Sequence, residues 1–577
     1  MKYDVVIVGG GIAGLTAAAY LAKAGKSVVI FEKQAKTGGL VQTFQRNGVH
    51  FDSGLRSIEN SGIVFPMLKQ LGIDIEFKKV KVSVGIGDQV IRINDKSSIA
   101  EYERFLKTFY PENTADISTI IREIKKIMGY MDVLYGIDNP ALMDIPNNKK
   151  YLFGKLLPWL FRFLFTMRRI NKLYEPVEDY LKRLTSNQAL IDIIAQHFFK
   201  HTPTSFALSY FSLYLDYHYP KGGTGTLIDR VTDYILEKGG VIHAGVKVTA
   251  LNPEKKRLTD SNGNNTEYSQ LIWACDSKQL YNIIPLNELS NTALINSIRS
   301  KKNELKPLRG GDSVFTVYLI VTEKKAFFEE ICTGHFFYTP DKRGLSSVST
   351  KEIEVFLNSS TYETDRGAST NTGAAGQQTS RSNEDLIVIA SAAGQQTFDS
   401  DNQELKNQLK QYLKEYFQFN TFEIAIPALR DPDLAPEGKV GLEVSLFLDY
   451  HLDKKIEEYG WSKEMKEYME TLTIDILNES IFPEIKAKVA ERFSSSPLTL
   501  EKLTGNSHGA LTGWAFTNPS VPAVTKMLKV SDSVDTILPS VFQAGQWTYS
   551  PSGFPMSIVT GKLAADKAIV SLKATQK

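Results

Sequence analysis

At 577 residues the chain is too long for one compact core, so at least two domains sharing a large interface are expected. Its 67 basic and 65 acidic side chains nearly cancel, which removes any general electrostatic pull toward nucleic acid, and no nucleic-acid partner is expected. The two cysteines, Cys275 and Cys332, are too few for a disulfide framework or a cysteine-ligated metal site and suit a reducing compartment.

Met1 and Lys2 lead straight into the apolar run Val5–Val8, without the charged start, apolar middle and small-residue cleavage site of a secretory signal, so a cytoplasmic location is expected. Residues 1–35 read as strand, glycine turn, helix and strand: Tyr3–Val8, Gly9–Gly14, a helix from Leu15 to about Ala24, and Ser27–Phe31. Gly9, Gly11 and Gly14 form G-x-G-x-x-G at the strand–helix junction, where glycine permits the tight turn, the close approach of backbone to pyrophosphate and close helix–strand packing. Glu32 ends the next strand, eighteen residues after Gly14, placed to accept hydrogen bonds from ribose hydroxyls. The fold class expected is therefore α/β, with a Rossmann-like dinucleotide-binding domain and a second α+β domain. Six residues after Glu32 comes Gly38-Gly39-Leu40-Val41.

With that Gly-Gly pair and the following Gln42–Gly54 (QTFQRNGVHFDSG), the chain resembles the phytoene desaturase, carotenoid isomerase and retinol saturase group of flavin oxidoreductases. The resemblance recurs at Tyr219-Pro220-Lys221-Gly222-Gly223, at Asp431 with Ala435-Pro436-Glu437-Gly438, and at Pro497–Trp514; residues 90–205 and 320–425 contribute little to it. It implies FAD as cofactor. It also implies a hydrophobic polyene or isoprenoid lipid as substrate, whose double bonds are desaturated, saturated or isomerised. The cofactor-binding residues expected are Gly9, Gly11, Ile12, Ala13, Gly14, Glu32, Lys33, Gly38, Gly39 and Leu40. To these the resemblance adds Val246, Lys247 and Val248 as a strand contacting adenine, and Gly545, Gln546, Gly553, Phe554 and Pro555 closing over the ribityl chain and isoalloxazine. Gln546 stands where an acidic residue is common, and its amide oxygen can accept the same ribityl hydrogen bond.

Further along, residues 76–216 become rich in helical patterns such as Ile117–Tyr135 and Val177–Phe199, read as the helical part of the substrate domain. Within them, Tyr151–Tyr174 mixes aromatic residues and leucines with Lys155, Arg162, Arg168, Arg169 and Lys172, as expected of a segment lying on a membrane surface, with Pro158 kinking it. No apolar stretch of 18 or more residues without charge is present, so the expected contact is peripheral, on the inner face of the membrane. Glycine punctuation at Tyr217–Gly225 returns the chain to the FAD-binding domain for 217–285, with a helix at Thr226–Lys238, a strand pair around Val241–Leu251 and a strand at Ser269–Cys275. Residues 286–494 are expected to form the substrate-domain sheet, with strands at Ser313–Val321, Leu386–Ser391 and Lys439–Leu448. A Ser-, Thr-, Gly- and Gln-rich flexible loop is expected at 358–384. The hexapeptide Ala-Ala-Gly-Gln-Gln-Thr occurs at 374–379 and 392–397. Residues 495–577 complete the FAD-binding domain, which begins with 1–75, and a last helix starts near Ser557.

For the chemistry opposite the flavin, no Ser-His-Asp order, metal-ligand spacing or paired carboxylate stands out, which fits reaction at the cofactor. His50, Asp52 and Arg56 are catalytic candidates because they follow the Gly-Gly loop; the alternative is that Asp52 caps a turn and Arg56 pairs with a carboxylate. His508 is a weaker candidate. Two other functions compete: an amine oxidase, with Trp547 and Tyr549 forming part of an aromatic cage, and a non-catalytic prenyl-lipid carrier resembling the Rab GDP-dissociation inhibitors. The second has no need for intact Gly9, Gly11, Gly14 and Glu32.

Overall fold

The computed structural model of the protein describes residues 2–143, 148–358 and 384–575. Strand β1 (Lys2–Val8), helix α1 (Ile12–Lys23) and strand β2 (Val28–Glu32) form a parallel βαβ unit. Val5–Val8 and all of β2 are buried, as continuous apolar strands covered on both faces should be. Helix α1 is buried around its whole circumference from Ile12 to Ala22, because it is wedged between the helices Gly225–Glu237 and Phe554–Thr575. The contact with the latter depends on Gly561, where a Cβ atom would lie 2.4 Å from the carbonyl oxygen of Ala13.

The first sheet runs Val241–Ala244, β2, β1, Asn265–Trp273, Arg257–Asp260, Val248–Asn252, with Val541–Gln543 also pairing to Asn265–Trp273. Segments from the start, middle and end of the chain thus meet in one sheet, so the α/β nucleotide-binding fold is discontinuous. The strand expected at Val246–Val248 starts only at Val248; Val246 and Lys247 lie in the preceding turn, where the Val246 N–H donates to the carbonyl of Glu32 at 2.8 Å.

The second sheet runs Val489–Ser495, Ser313–Val321, Val440–Leu448, Phe422–Ala425, His335–Thr339, Val82–Ile86, Gln89–Ile93. Period-two alternation gives it two unlike faces. One carries Phe315, Val317, Phe336, Ile424, Leu442 and Val444 and packs on an apolar core with Leu409, Leu413, Phe417 and Leu477 from the helices behind it. The other carries Thr316, His335, Phe337, Glu423, Glu443 and Ser445, brought together by the register Phe337 opposite Glu423 and Glu423 opposite Ser445.

Three local expectations differ from the structure. Leu386–Ser391, expected as a strand, lies inside the helix Glu384–Phe419; a short apolar run does not by itself separate strand from helix, and the alanines around it favour helix. The second copy of the repeated hexapeptide is in that helix, whereas the first copy and nearly all of 358–384 lie outside the described residues. The pattern Val177–Phe199 forms two helices, Val177–Lys182 and Gln188–Ala195, because Asn187 starts the second one by accepting from the N–H of Leu190 at 3.2 Å. Finally, Pro158 does not break its segment. A π-helical turn at Leu152–Leu156 precedes the helix Leu157–Ile170, and Pro158 falls in the first turn of that helix, where its missing N–H costs least. Among the described residues no helix is long and apolar enough to cross a membrane.

Candidate active site

The N-terminus of α1 is built to receive an anion. Gly11 caps it without a side-chain hydrogen bond, and no acidic residue stands in the first turn, so the leading N–H groups keep their donors for an outside acceptor. A Cβ on Gly11 would meet open space, whereas one on Gly14 would lie 2.0 Å from the carbonyl oxygen of Gly9. Gly11 therefore keeps the approach to the helix clear, and Gly14 holds the turn tight. Glu32 anchors this loop: its Oε2 accepts from the N–H of Gly10 at 2.7 Å and its Oε1 from the N–H of Gln34 at 2.8 Å. A carboxylate has about four lone-pair sites, so acceptor capacity is left for ribose hydroxyls. The Gly-Gly loop lies against the same turn, with the Gly38 N–H donating to the Gly10 carbonyl at 2.8 Å. Lys33 follows, its amine pulled below the usual lysine range by burial.

From the far end of the chain, Gly545 comes down on α1, where a Cβ would touch that of Ala13 at 3.3 Å; its N–H donates to Thr560 Oγ1 at 2.9 Å. Among the described residues the Gln546 side chain makes a single long contact, Nε2 to the Ala510 carbonyl at 3.5 Å. Gly553 has open space where a side chain would be, and Phe554, at the head of the last helix, packs in one cluster with Ile58. These residues fit a dinucleotide lying along α1 with its far end toward Ile58.

The three catalytic candidates are all tied into the framework. Asp52 is fully buried; its Oδ1 accepts from Thr43 Oγ1 at 2.6 Å, Thr224 Oγ1 at 2.8 Å and the Thr224 N–H at 3.0 Å, and its Oδ2 from the Tyr219 hydroxyl at 2.6 Å. Arg56 forms a buried ion pair with Glu443 at 2.5 Å and donates to Ser445 Oγ at 2.9 Å. His50 Nδ1 is bonded to the carbonyl of Leu434 at 3.2 Å. The segments that carry the family resemblance meet here, since Asp431 also accepts from the N–H of Gly222 at 2.8 Å. His508 accepts from the N–H of Gly310 at 3.0 Å through Nδ1, and burial, aided by Lys278, pushes it down to about 4. Trp547 and Tyr549 are buried, and the Trp547 ring packs edge-on against Trp514 at 4.9 Å, so they form no open cage.

Beyond Arg56 the structure assembles a group that the sequence does not announce. Ser57 Oγ lies 2.9 Å from His335 Nδ1, and His335 Nε2 lies 2.9 Å from Glu423 Oε1. This Ser–His–Glu chain joins residues 57, 335 and 423, too far apart in the sequence to stand out there. Burial pulls His335 below its ordinary range. It works to raise Glu423 too, but the hydrogen bond from His335 together with the nearby charges, those of Arg56 and Arg430 among them, outweighs it and holds the carboxyl low. Glu423 sits on an inner strand, yet 35% of its side-chain surface is open. Aromatic rings line that face: Tyr217 stacks on His335 at 5.1 Å, Phe337 on Tyr214 at 5.0 Å, His197 lies 5.3 Å from Phe337, and Phe199 lies 5.3 Å from Phe447. Two hollows of about 380 Å³ lie elsewhere on the surface, one beside Thr471 and Lys486 and one between Thr37 and Thr232; neither contains these groups.

On the outside, the helix Leu157–Ile170 buries Trp159, Phe163 and Met167 and turns Phe161 (68% exposed) and Phe165 (64%) outward, with Phe153 and Leu160 beside them. Met527 packs against the buried side of this helix, and its neighbour Leu528 is 64% exposed.

A mixed sheet that is parallel around β1 and β2, an uncapped glycine turn, an acid closing β2 and a second sheet are the frame of a nucleotide-dependent oxidoreductase of the flavoprotein class. The chain belongs to the flavin containing amine oxidoreductase family, whose sequence model matches residues 12–430, and its cofactor is FAD. It is 24% identical over 370 residues to the all-trans-retinol 13,14-reductase of Macaca fascicularis, covering 58% of this chain and 57% of that protein. It is 21% identical over 361 residues to a 4,4'-diaponeurosporene oxygenase of Staphylococcus aureus (strain Mu50 / ATCC 700699), covering 59% and 66%. The match thus spans little more than half the length of the retinol reductase. Among solved structures, an oxidoreductase from Methanosarcina mazei superposes with a TM-score of 0.55 at 14% identity, over 99% of this chain and 100% of that one. Putrescine oxidase bound to putrescine superposes with a TM-score of 0.53 at 13% identity, over 99% of both, which establishes a shared fold.

Proposed function

We propose that the protein is an FAD-dependent oxidoreductase that transfers hydride to or from a carbon–carbon bond of a hydrophobic polyene or isoprenoid lipid. The observation that carries this reading is the interior face of the second sheet, lined by aromatic rings beside the segment that follows the Gly-Gly loop. Flat rings complement a flat conjugated chain, and the sequence relatives are named for a retinoid and a carotenoid-type compound. In this reading Gly9, Gly11, Ile12, Ala13 and Gly14 hold the pyrophosphate, Glu32 and Lys33 the ribose, and Val246–Val248 the adenine. Gly38–Leu40, Gly545, Gln546 and Gly553–Pro555 enclose the rest. Bound FAD supplies the hydride exchange; the protein positions the substrate and excludes water.

The exposed face of Leu157–Ile170, with Leu528 at its side, is the docking surface for an anionic bilayer, on the cytoplasmic side. Aromatic and aliphatic side chains would enter the interface while Lys155, Arg162, Arg168, Arg169 and Lys172 meet the headgroups. Such docking lets a water-insoluble substrate reach the site without crossing solvent.

The test is to incubate the FAD-loaded protein with all-trans-retinol and with a C30 carotenoid, once oxidised and once photoreduced, and to follow the lipids by chromatography and mass spectrometry. A changed double-bond count in either probe is the expected result. Unchanged lipids in both states, together with turnover of putrescine and release of peroxide, would overturn the reading in favour of an amine oxidase.

A further inference from the structure

Ser57 lies in the bend just before the two-residue strand Ile58–Glu59, and Glu59 ends that strand. The short strand Ile58–Glu59 pairs with Tyr217–Pro220, placing Glu59 opposite Tyr217, whose ring stacks on His335. Ile58, between the two, packs with Phe554 and Ile558 at the head of the last helix, the end of the fold that faces the reactive part of the cofactor in the function proposed above. The other carboxylates of this neighbourhood are engaged, Glu423 by His335 at 2.9 Å and Asp216 by the Ser61 N–H at 2.8 Å. Glu59 differs. Its Oε2 is buried and has no hydrogen-bond partner among the described residues, although a buried polar atom is nearly always paired.

We infer that Glu59 is the proton-transfer residue of that reaction, with Ser57, His335 and Glu423 as positioning residues around it. The inference rests on the proposed function and deepens it. In the reducing direction, hydride supplied by the reduced flavin adds to one carbon of a C=C bond. The carboxylic acid of Glu59 gives its proton to the neighbouring carbon and is left as a carboxylate, which recovers a proton from solvent. In the oxidising direction, one carbon loses hydride to the oxidised flavin and its neighbour loses a proton to the Glu59 carboxylate, forming the double bond. Two electrons and one proton are exchanged with the cofactor and one proton with Glu59, either way.

The surroundings prepare Glu59 for this role. Burial above all, then the charges of Asp216 and Glu423, push it up to about 7, where both of its protonation states are accessible at neutral pH. Glu423 is moved the opposite way by His335. Two carboxyls driven apart by their settings are the usual arrangement of an acid and a fixed negative charge in one site. The groups facing Glu59 are Asp216 and Tyr217 on the adjoining chain, Tyr135 at the end of the helix Thr114–Leu134, and Glu423 with His335 behind it.

An infrared titration of the FAD-loaded protein tests this without turnover. The protonated-carboxyl band should disappear with a midpoint near 7 in the wild type and be missing from Glu59→Gln at unchanged FAD content. The same variant should convert the polyene probes about 100-fold more slowly or worse, the usual scale for a lost general acid or base. Glu59→Asp should restore the band and part of the rate; it carries the test if Glu59→Gln does not retain flavin. A Glu59→Gln protein that keeps the titrating band, or keeps the wild-type rate and pH profile, would overturn the inference. A wild type that shows the Glu59-dependent band but converts no polyene would support the titrating acid and overturn only the substrate assigned above.

Discussion

The glycine turn at α1 and the polar face of the second sheet are both built around buried acids, but by opposite means. At α1 the glycine turn assigned to the diphosphate comes from consecutive residues, Gly9 to Gly14, and the acid Glu32 accepts from the adjoining backbone N–H groups of Gly10 and Gln34. Beside the polar face of the second sheet the cluster draws on positions 57, 59, 335 and 423, of which only His335 and Glu423 belong to that sheet, and they are joined by strand pairing and by the hydrogen bonds of His335. A site made of backbone needs a contiguous motif. A site made of side chains needs only that the fold bring its members together, and it can leave one of them unsatisfied for the substrate.

The sharpest way to break this contrast is at Gly14. Its missing side chain leaves room for the Gly9 carbonyl, and Gly14→Ala would place a Cβ 2.0 Å from that oxygen. Loss of bound FAD by about 100-fold in affinity is expected, of the order of 3 kcal/mol, measured by flavin release on dilution. Retained flavin at wild-type affinity would show that the turn does not cradle the cofactor.

Glu59 gives the next largest effect, and it acts on stability. Its folded-state pKa is raised from 4.5 to about 7, so the unfolded chain ionises first while the folded form still holds the proton. The contribution is intact below about 4.5 and is lost as pH rises through about 7, with a total on the order of 3 kcal/mol. Denaturant unfolding across that window should show wild-type stability falling with pH more steeply than that of Glu59→Gln. Parallel curves would mean that Glu59 titrates normally.

Glu32→Ala should weaken FAD retention by roughly tenfold, the loss of one or two hydrogen bonds to a charged acceptor, and leave the fold in place. Equal flavin content in the variant and the wild type would show that Glu32 serves the glycine loop alone. The smallest effect on the fold is expected at the outer helix. Because Phe161 and Phe165 are mostly exposed, replacing both with Ser should change stability by no more than about 0.5 kcal/mol while strongly reducing cosedimentation with anionic vesicles. Undiminished vesicle binding would point to another docking surface.

The same contrast explains what could be read from the sequence. The βαβ unit was legible because its signals are local: an apolar strand, glycines at fixed offsets, an Ala-rich helix and an acid at a strand end, and β1, α1 and β2 fall within a few residues of the expected bounds. Asp52 and Arg56 stood out by their place after the Gly-Gly loop and the segment from Tyr219 by family resemblance, and hydrogen bonds and an ion pair fix them in a buried framework. Glu59, His335 and Glu423 gave no signal, since nothing in the spacing of residues 57 to 423 foretells which strands pair. Glu59 lies only three residues past Arg56; the hint available was a carboxylate beside the apolar Ile58. The short run Leu386–Ser391 misled for a related reason: its length and composition suit a strand or a helix, and only the tertiary setting decides.

The most direct test of the account is a structure of the protein with FAD bound. It should show the pyrophosphate against the N–H groups of Gly11 to Gly14 and the isoalloxazine beside Ser57 and Glu59, facing the aromatic interior of the second sheet. A flavin ring directed away from Glu59, or a dinucleotide seated anywhere other than the head of α1, would contradict it.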